Sequence, residues 1–233
     1  DSPDTASLFQ HSLGYSTYNA GGVSSLPVLN GMADDRVATI VDGMRIASAC
    51  PNHMNPAMSY IDPDSVSHAV ALAGITPVSI GGDSTGGTVQ VDRKDPQFAK
   101  AGKILITGHV RGDYRSNGGG SGASGTVTVA NDTLSLRYTA SYAHASDYQT
   151  GGKGRRVLST SYLSFNHAVT LGPHKAHHLL ALTFGQQDIP YEGLPNQYMD
   201  MNNNRATFVN GQYTGDFGWG PPHTPRLWTP RSH

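Results

Sequence analysis

The sequence predicts a small mixed α+β domain followed by antiparallel strands of an up-and-down transmembrane β-barrel. Three observations support this prediction. The chain has 233 residues, of which 28 are glycine and only 14 % are charged, a composition unlike that of an ordinary helical cytosolic protein. Its second part alternates apolar and polar residues with the period of two that a strand requires. Long and short connections alternate between those strands.

Residues 1–95 form the first predicted unit, in which short elements are separated by long Gly- and Pro-rich connections. The stretch "DTASLFQHSL" predicts a short helix capped by Asp4 or Thr5, and "RVATIVDGMRI" predicts a strand that enters a turn at Asp42-Gly43. The stretch "DPDSVSHAVALAG" predicts a helix start followed by a short strand, and "TGGTVQVD" predicts another strand. These elements together indicate a small α+β domain.

Residues 96–220 form the second predicted unit. The stretch "TLSLRYTASYAH" places apolar and tyrosine side chains on one face and small polar side chains on the other. Similar stretches occur at 103–115, 124–130, 156–169, 177–187 and 205–215, so we expect about six strands. A soluble β-sandwich would alternate in the same way, and it is the commoner architecture.

The lengths of the connections favour a membrane barrel over a sandwich. "AND" and "LGPHKA" predict short turns, whereas "SNGGGSGAS", "SDYQTGGKGR" and "QQDIPYEGLPNQYMDMNNN" predict long polar loops. Outer-membrane barrels sort their connections into short periplasmic turns and longer outer loops, and a sandwich has no reason to do so. Because the smallest membrane barrels need about eight strands, we expect an incomplete barrel.

The segment after Gly220 departs from this pattern. Residues 221–233 read "PPHTPRLWTPRSH", with four prolines and no alternation, so we expect no strand there. We interpret it as an off-pattern tail of the kind that a truncated or shifted reading frame produces.

Composition and motifs exclude several classes of function. The net charge of −1 predicts no nucleic-acid partner, and a single cysteine excludes an intramolecular disulfide framework. The glycine-rich "GGDSTGGT" lacks the lysine of a phosphate-binding loop. No nucleophile-elbow spacing occurs either, so the sequence predicts no enzyme.

Two long stretches are similar to a known family. "VATIVDGMRI" followed by "YIDPDSVSHAVALAGITPVSIGGDSTGGTVQVD" resembles the plug of TonB-dependent outer-membrane receptors, and "DIPYEGLPNQYMDMNNNRATFVNGQYTGDFGWG" resembles their early barrel sequence. The resemblance covers most of residues 4–220. It implies an α+β plug domain followed by antiparallel β strands of an incomplete transmembrane up-and-down β-barrel.

The same resemblance implies location and partners. The protein would lie in the outer membrane of a Gram-negative bacterium, in contact with its lipid, and would import a ligand held between the plug apex and the outer loops. The TonB energy-transducing complex would drive import through an N-terminal box upstream of this sequence.

The segment "SACPNHMNPAMSYIDP" is most similar to receptors associated with copper, whose plug has a Cys-x-x-x-Met pair. By this resemblance Cys50 and Met54 occupy the pair, with His53 and Met58 nearby as further candidate metal ligands. Thiolate and thioether are soft ligands that select Cu(I) over hard cations. A purely structural role stays open, since a lone cysteine often behaves as a small buried hydrophobe and methionines fill gaps.

The methionines fall in two places: four in the first unit, and Met199 and Met201 in one long predicted loop. No predicted barrel strand contains one, whereas core methionines would be scattered through the strands. We therefore predict a methionine-lined extracellular vestibule above a Cys50 site, with Cu(I) as the transported ligand. A siderophore or cobalamin ligand, a soluble extracytoplasmic copper-binding β module, and a non-functional truncated product stay open as alternatives.

Overall fold

A computed structural model has thirteen strands in three sheets within the residues that it describes. It describes residues 4–19, 21–23, 25–46, 48, 53–80, 82, 84–152, 154–215 and, as backbone alone, 226–232. Helices within these ranges are short 3₁₀ turns at Thr5–Phe9, Asp34–Arg36, Ala57–Tyr60, Pro63–Ser65 and Asn117–Gly119. Across the same ranges, no helix has the length and apolar character needed to span a membrane.

The first unit contains a two-stranded and a four-stranded sheet. β1 (Tyr15–Asn19) and β2 (Ser25–Leu29) pair as an antiparallel hairpin. The larger sheet has the order β4-β3-β6-β5 and consists of β3 (Val37–Val41), β4 (Met44–Arg45), β5 (Val66–Ala73) and β6 (Gly87–Arg93). β3 and β6 run parallel, and the other pairs are antiparallel.

Local sequence explains several of these elements. All five residues of β3 are buried, as expected for a largely apolar, β-branched strand with a neighbour on each side. Asp42 and Gly43 both have positive φ, 50° and 73°, which suits a tight hairpin turn. The Asp4 side chain caps the first helix by accepting a hydrogen bond from the backbone N–H of Ala6 at 3.0 Å. The predicted helix, strand and turn are therefore confirmed.

The second unit is one antiparallel sheet in which neighbours in sequence are neighbours in space. Its strands are β7 (Leu105–Arg115), β8 (Gly120–Ala130), β9 (Leu134–Ala145), β10 (Tyr162–Lys175), β11 (His178–Glu192), β12 (Met201–Gly215) and β13 (Arg226–Ser232). All six predicted strands are present, in the up-and-down order expected. β7 and β13 occupy the two edges of the sheet in the described part of the chain.

Several predicted loops prove to be strand. β8 begins at Gly120, so residues 116–119 alone connect it to β7. β11 continues to Glu192 and β12 begins at Met201, so the statement that no barrel strand contains a methionine is wrong. The physical reason is pairing on both sides, which holds glycine- and amide-rich segments extended despite their low β-propensity.

The expectation of no strand after Gly220 is also wrong. β13 pairs with β12 over seven positions, from Ala206 opposite Ser232 to Gln212 opposite Arg226. Its proline, Pro230, lies opposite Phe208. An edge strand tolerates a proline because one side of its backbone needs no partner.

The two faces of the large sheet differ in polarity. Large hydrophobic side chains are exposed on one face, and the strand register aligns them in rows such as Val127, Tyr138, Val169 and Phe184. The opposite face packs against the first unit through polar side chains, among them Ser124, Gln187 and Asn210. This agrees with the predicted apolar-out, polar-in alternation.

Two apolar clusters organise the interior. One is the core of the first unit and includes Phe9, Leu29, Val41, Met58 and Ile61. The other lies where the first unit meets the large sheet, and we call it the boundary cluster. Its members are Val23, Ala143, Ala145, Tyr162, Ile189, Leu194 and Met201.

Candidate functional site

The segment 53–60 lies against the large sheet. Residues 55–59 are buried, and the 3₁₀ helix Ala57–Tyr60 follows Pro56, whose φ of −62° and ψ of 153° place it before the helix as an extended residue. Met54 is half-buried and packs against the boundary cluster, of which Met201 is a member. The fold thus brings two predicted sulfur ligands from distant parts of the chain to one cluster.

Met199 and Met201 have different surroundings. Met201 is the first residue of β12, is 8 % exposed, and pairs with Glu192 across the strands. Met199 precedes the strand in the connection from β11 and is 56 % exposed. Met201 therefore contributes to the cluster, whereas Met199 offers its thioether to the solvent.

His53 and Met58 are placed away from that cluster. The Nε2 atom of His53 lies 3.7 Å from Oδ1 of Asp34, so its imidazole has a carboxylate of the first unit beside it. Met58 is fully buried in the core of the first unit, where a flexible thioether fills space well. Cys50 lies outside the described residues. Within the described part of the chain, no group of three His, Asp or Glu side chains is placed to hold a metal ion.

A buried amide network, which the sequence pattern does not reveal, joins the segment to the sheet. Asn55 donates from Nδ2 to the Tyr60 hydroxyl at 3.1 Å and to Oε1 of Gln187 at 3.2 Å, and it accepts from the Ser59 hydroxyl. Gln187 donates from Nε2 to the Ser59 carbonyl at 2.6 Å and to Oδ1 of Asn166 at 3.0 Å. The available signal is a run of polar residues at 186–188, which the sequence pattern places in a loop.

A second junction uses glycines. The backbone N–H of Val23 donates to Oε1 of the fully buried Glu192 at 3.2 Å. A Cβ added to Gly21 would overlap the Glu192 carboxylate, and one added to Gly22 would overlap the Tyr162 ring. Only glycine permits this close approach of the backbone to the sheet.

An ion pair forms a third junction. The guanidinium of Arg93 pairs with the Asp42 carboxylate, donates to the Tyr60 carbonyl at 2.9 Å, and lies 5.2 Å over the ring of Phe208. Burial lowers the pKa of Arg93 to about 10, so the group stays charged at neutral pH. The Asp42 carbonyl accepts from Gln212 of β12 at 2.9 Å, which extends the junction to the sheet.

Asp64 forms a fourth junction, beside a polar cleft. Its Oδ1 lies 2.7 Å from Nη1 of Arg111, and its other oxygen accepts from Ser124. Burial alone would raise the pKa of Asp64, but the hydrogen bonds from Ser124 and Arg111 and the positive charge of Arg111 outweigh it, so the pKa is lowered. The cleft has a volume of about 160 Å³, and Asp64 and Arg93 both line it.

Comparison with known proteins identifies the first unit. Residues 2–88 match the family model of the TonB-dependent Receptor Plug Domain, and the resemblance inferred from the sequence is confirmed. No match occurs among curated protein sequences.

Solved receptor structures share the fold over almost the whole chain. The copper transporter OprC superposes with a TM-score of 0.87 at 23 % identity, covering 99 % of this chain and 36 % of that one. The FrpB iron transporter from Neisseria meningitidis (F3-3 variant) gives 0.75 at 17 %, covering 98 % and 38 %. The hemophore receptor HasR of Serratia marcescens, in complex with its hemophore HasA and heme, gives 0.80 at 19 %, covering 97 % and 35 %.

These similarities show a shared fold, and the fold alone does not determine which ligand is bound. The chain spans little more than a third of the length of each of these proteins. Their names include copper, iron and heme, and all three superpose well. The plug domain and the antiparallel strands that follow it therefore have the TonB-dependent receptor architecture, while the ligand depends on side chains at the site.

Proposed function

We propose that this chain, which belongs to the TonB-dependent receptors by its plug domain and by its fold, is part of an outer-membrane importer of copper ions. The observation that supports this most is the meeting of Met54 and Met201 at the boundary cluster, with Met54 four residues along the chain from the one cysteine. Thioether and thiolate donors favour Cu(I). The structural similarity to a copper transporter is consistent with this ligand.

The proposed ligand roles follow from burial. Cys50 and Met54 bind Cu(I), and Met201 offers a third sulfur from the sheet side. Met199, which is exposed, captures the ion on its approach. His53, beside Asp34, and Met58, in the plug core, hold the segment in place from the plug side.

The proposed mechanism is transport without chemical conversion. The ion enters from the side of the β9–β10 and β11–β12 connections, binds between plug and sheet, and is released when the plug rearranges. A periplasmic TonB complex supplies the work by pulling on sequence N-terminal to the plug. The exposed apolar rows of the large sheet contact the lipid of a Gram-negative outer membrane.

Copper affinity tests the proposal. The 233-residue chain would be refolded in detergent, and Cu(I) would be titrated under reducing conditions against a chromophoric chelator. Removal of an outer-shell group lowers the affinity of a metal site roughly 10- to 100-fold. The double variant Cys50→Ser, Met54→Leu removes two proposed ligands, so we expect its Cu(I) affinity to fall by more than that.

The matched control is Met44→Leu. Met44 is a plug methionine that is 5 % exposed, and the exchange preserves side-chain volume. Undiminished Cu(I) affinity in the double variant would refute the proposal, as would preferential binding of a ferric siderophore over Cu(I) by the native chain.

A further inference from the structure

The side-chain amide of Gln187 is hydrogen-bonded at both its nitrogen and its oxygen, mostly to the segment 53–60. Its side chain is 1 % exposed, both hydrogens of its Nε2 have acceptors, and its Oε1 accepts from Asn55. Two of these three partners, Asn55 and Ser59, belong to the segment that follows Met54. A buried amide requires such partners, because leaving them unpaired costs more than the bonds contribute.

The strand that provides Gln187 also contributes to the boundary cluster, against which Met54 packs. Gln187 and Ile189 both lie on β11, and Ile189 is a fully buried member of that cluster. Movement of the segment away from Gln187 would therefore also separate Met54 from the cluster that contains Met201. β11 thus holds the segment and supplies part of the surroundings of Met54.

We propose that Gln187 is the positioning residue of the ligand-binding segment, holding Asn55 and Ser59 so that the Met54 thioether faces Met201. This inference rests on the proposed copper function. Gln187 does not touch the ion. It determines how much of the chain has the two sulfur donors already in place before Cu(I) arrives, and a preorganised site binds more tightly.

The chain offers a matched pair of variants. Gln187→Leu removes the amide at nearly constant volume and adds no Cu(I) ligand. Gln212→Leu makes the same substitution on β12, where the Gln212 amide donates to the Asp42 carbonyl at 2.9 Å, which is also a bond between sheet and plug. In detergent, with Cu(I) as the probe, we expect about a tenfold loss of affinity for Gln187→Leu and less than about a twofold change for Gln212→Leu.

A second measurement needs no copper. Hydrogen exchange of the backbone amides in residues 53–60 should be faster by a similar factor in Gln187→Leu, and unchanged in Gln212→Leu, because only the first variant frees the segment.

The variant Gln187→Glu adds a pH signature. The introduced carboxyl, when protonated, could donate to the Ser59 carbonyl and accept from Asn55, whereas its ionised form has no hydrogen to donate. The measured quantity is the Cu(I) affinity of this variant divided by that of the native chain at the same pH. This ratio should be close to one in acid and should fall as the pH rises. Burial raises the pKa of such a carboxyl, so the fall is expected above the usual carboxyl range.

The outcomes separate this inference from the function on which it rests. Native-like Cu(I) affinity together with native-like exchange of residues 53–60 in Gln187→Leu would overturn the positioning role, and so would equal losses in Gln187→Leu and Gln212→Leu. If the native chain itself fails to bind Cu(I), the copper function is wrong. The exchange comparison then still decides whether Gln187 holds the segment.

Discussion

Replacing Arg93 with methionine removes the charge that compensates the buried carboxylate of Asp42. The Asp42 carboxylate would keep one hydrogen bond, from the Arg93 backbone N–H at 2.7 Å. The side chains are 16 % and 6 % exposed for Arg93 and Asp42, so solvent screens this pair little. The small stabilisation free energies measured for surface ion pairs therefore do not apply to this pair.

The expected cost follows from this burial. Removing one partner of a buried, hydrogen-bonded ion pair costs about 3–5 kcal/mol. The variant also loses the contact with the Phe208 ring, which adds about 0.5–1 kcal/mol. The first range alone corresponds to a roughly 150- to 4,000-fold change in the equilibrium for opening the plug, since about 1.4 kcal/mol is tenfold.

Hydrogen exchange of β3 and β6 amides in detergent measures that equilibrium. The double variant Asp42→Asn, Arg93→Met is the control, because it removes both charges and because asparagine tolerates the positive φ of 50° at this position. We expect it to recover most of the lost protection. Exchange in Arg93→Met that stays within about threefold of native, or a double variant as unprotected as the single one, would refute the reasoning.

Three further predictions concern two other junctions and the β9–β10 connection. Gly22→Ala should cost about 1–3 kcal/mol through overlap with the Tyr162 ring, measured as faster exchange of plug amides. Because the folded pKa of Asp64 is lowered, its contribution is present above the ordinary carboxyl pKa and is lost as pH falls through the lowered value. Asp64→Asn should therefore flatten the acid limb of a plug-stability titration. Asp147 accepts backbone hydrogen bonds from Thr160 and the next residue, so Asp147→Ala should speed proteolysis of the β9–β10 connection and leave Cu(I) affinity unchanged.

Strand existence was predictable because one face of the large sheet is polar and the other apolar. Polar and apolar residues therefore alternate along each strand, and the six predicted strands are all present. Boundaries were less predictable. Glycine and amide residues at 120–125 and 186–192 lower the local preference for a strand, but hydrogen bonding to neighbours on both sides extends β8 and β11 through them.

The residues after Gly220 are a second case in which local composition did not predict where a strand lies. Proline content argued against a strand after Gly220, but β13 pairs with β12 and places Pro230 at the sheet edge. A proline excludes a central strand more strongly than an edge strand. Whether a strand is central or at an edge is set by the topology of the whole sheet and cannot be read from the segment itself.

The sulfur site is a prediction from the sequence, and the structure adds where the described candidate residues lie. The sulfur-rich segment identified Met54, and clustering of methionines identified Met201. Two other candidate ligands lie away from the boundary cluster: Met58 lies in the plug core, and His53 lies beside Asp34. Gln187 could not be identified from its neighbours in sequence, because its role depends on partners that the fold brings from the plug.

Copper K-edge X-ray absorption of the Cu(I)-loaded chain in detergent tests the proposed copper site most directly, because it counts the atoms bound to the ion. We predict a shell of sulfur atoms in the native chain, one sulfur fewer in Cys50→Ser and in Met54→Leu, and no change in Met44→Leu. A native shell made only of nitrogen and oxygen, or sulfur counts that are unchanged in both site variants, would contradict a sulfur site for Cu(I).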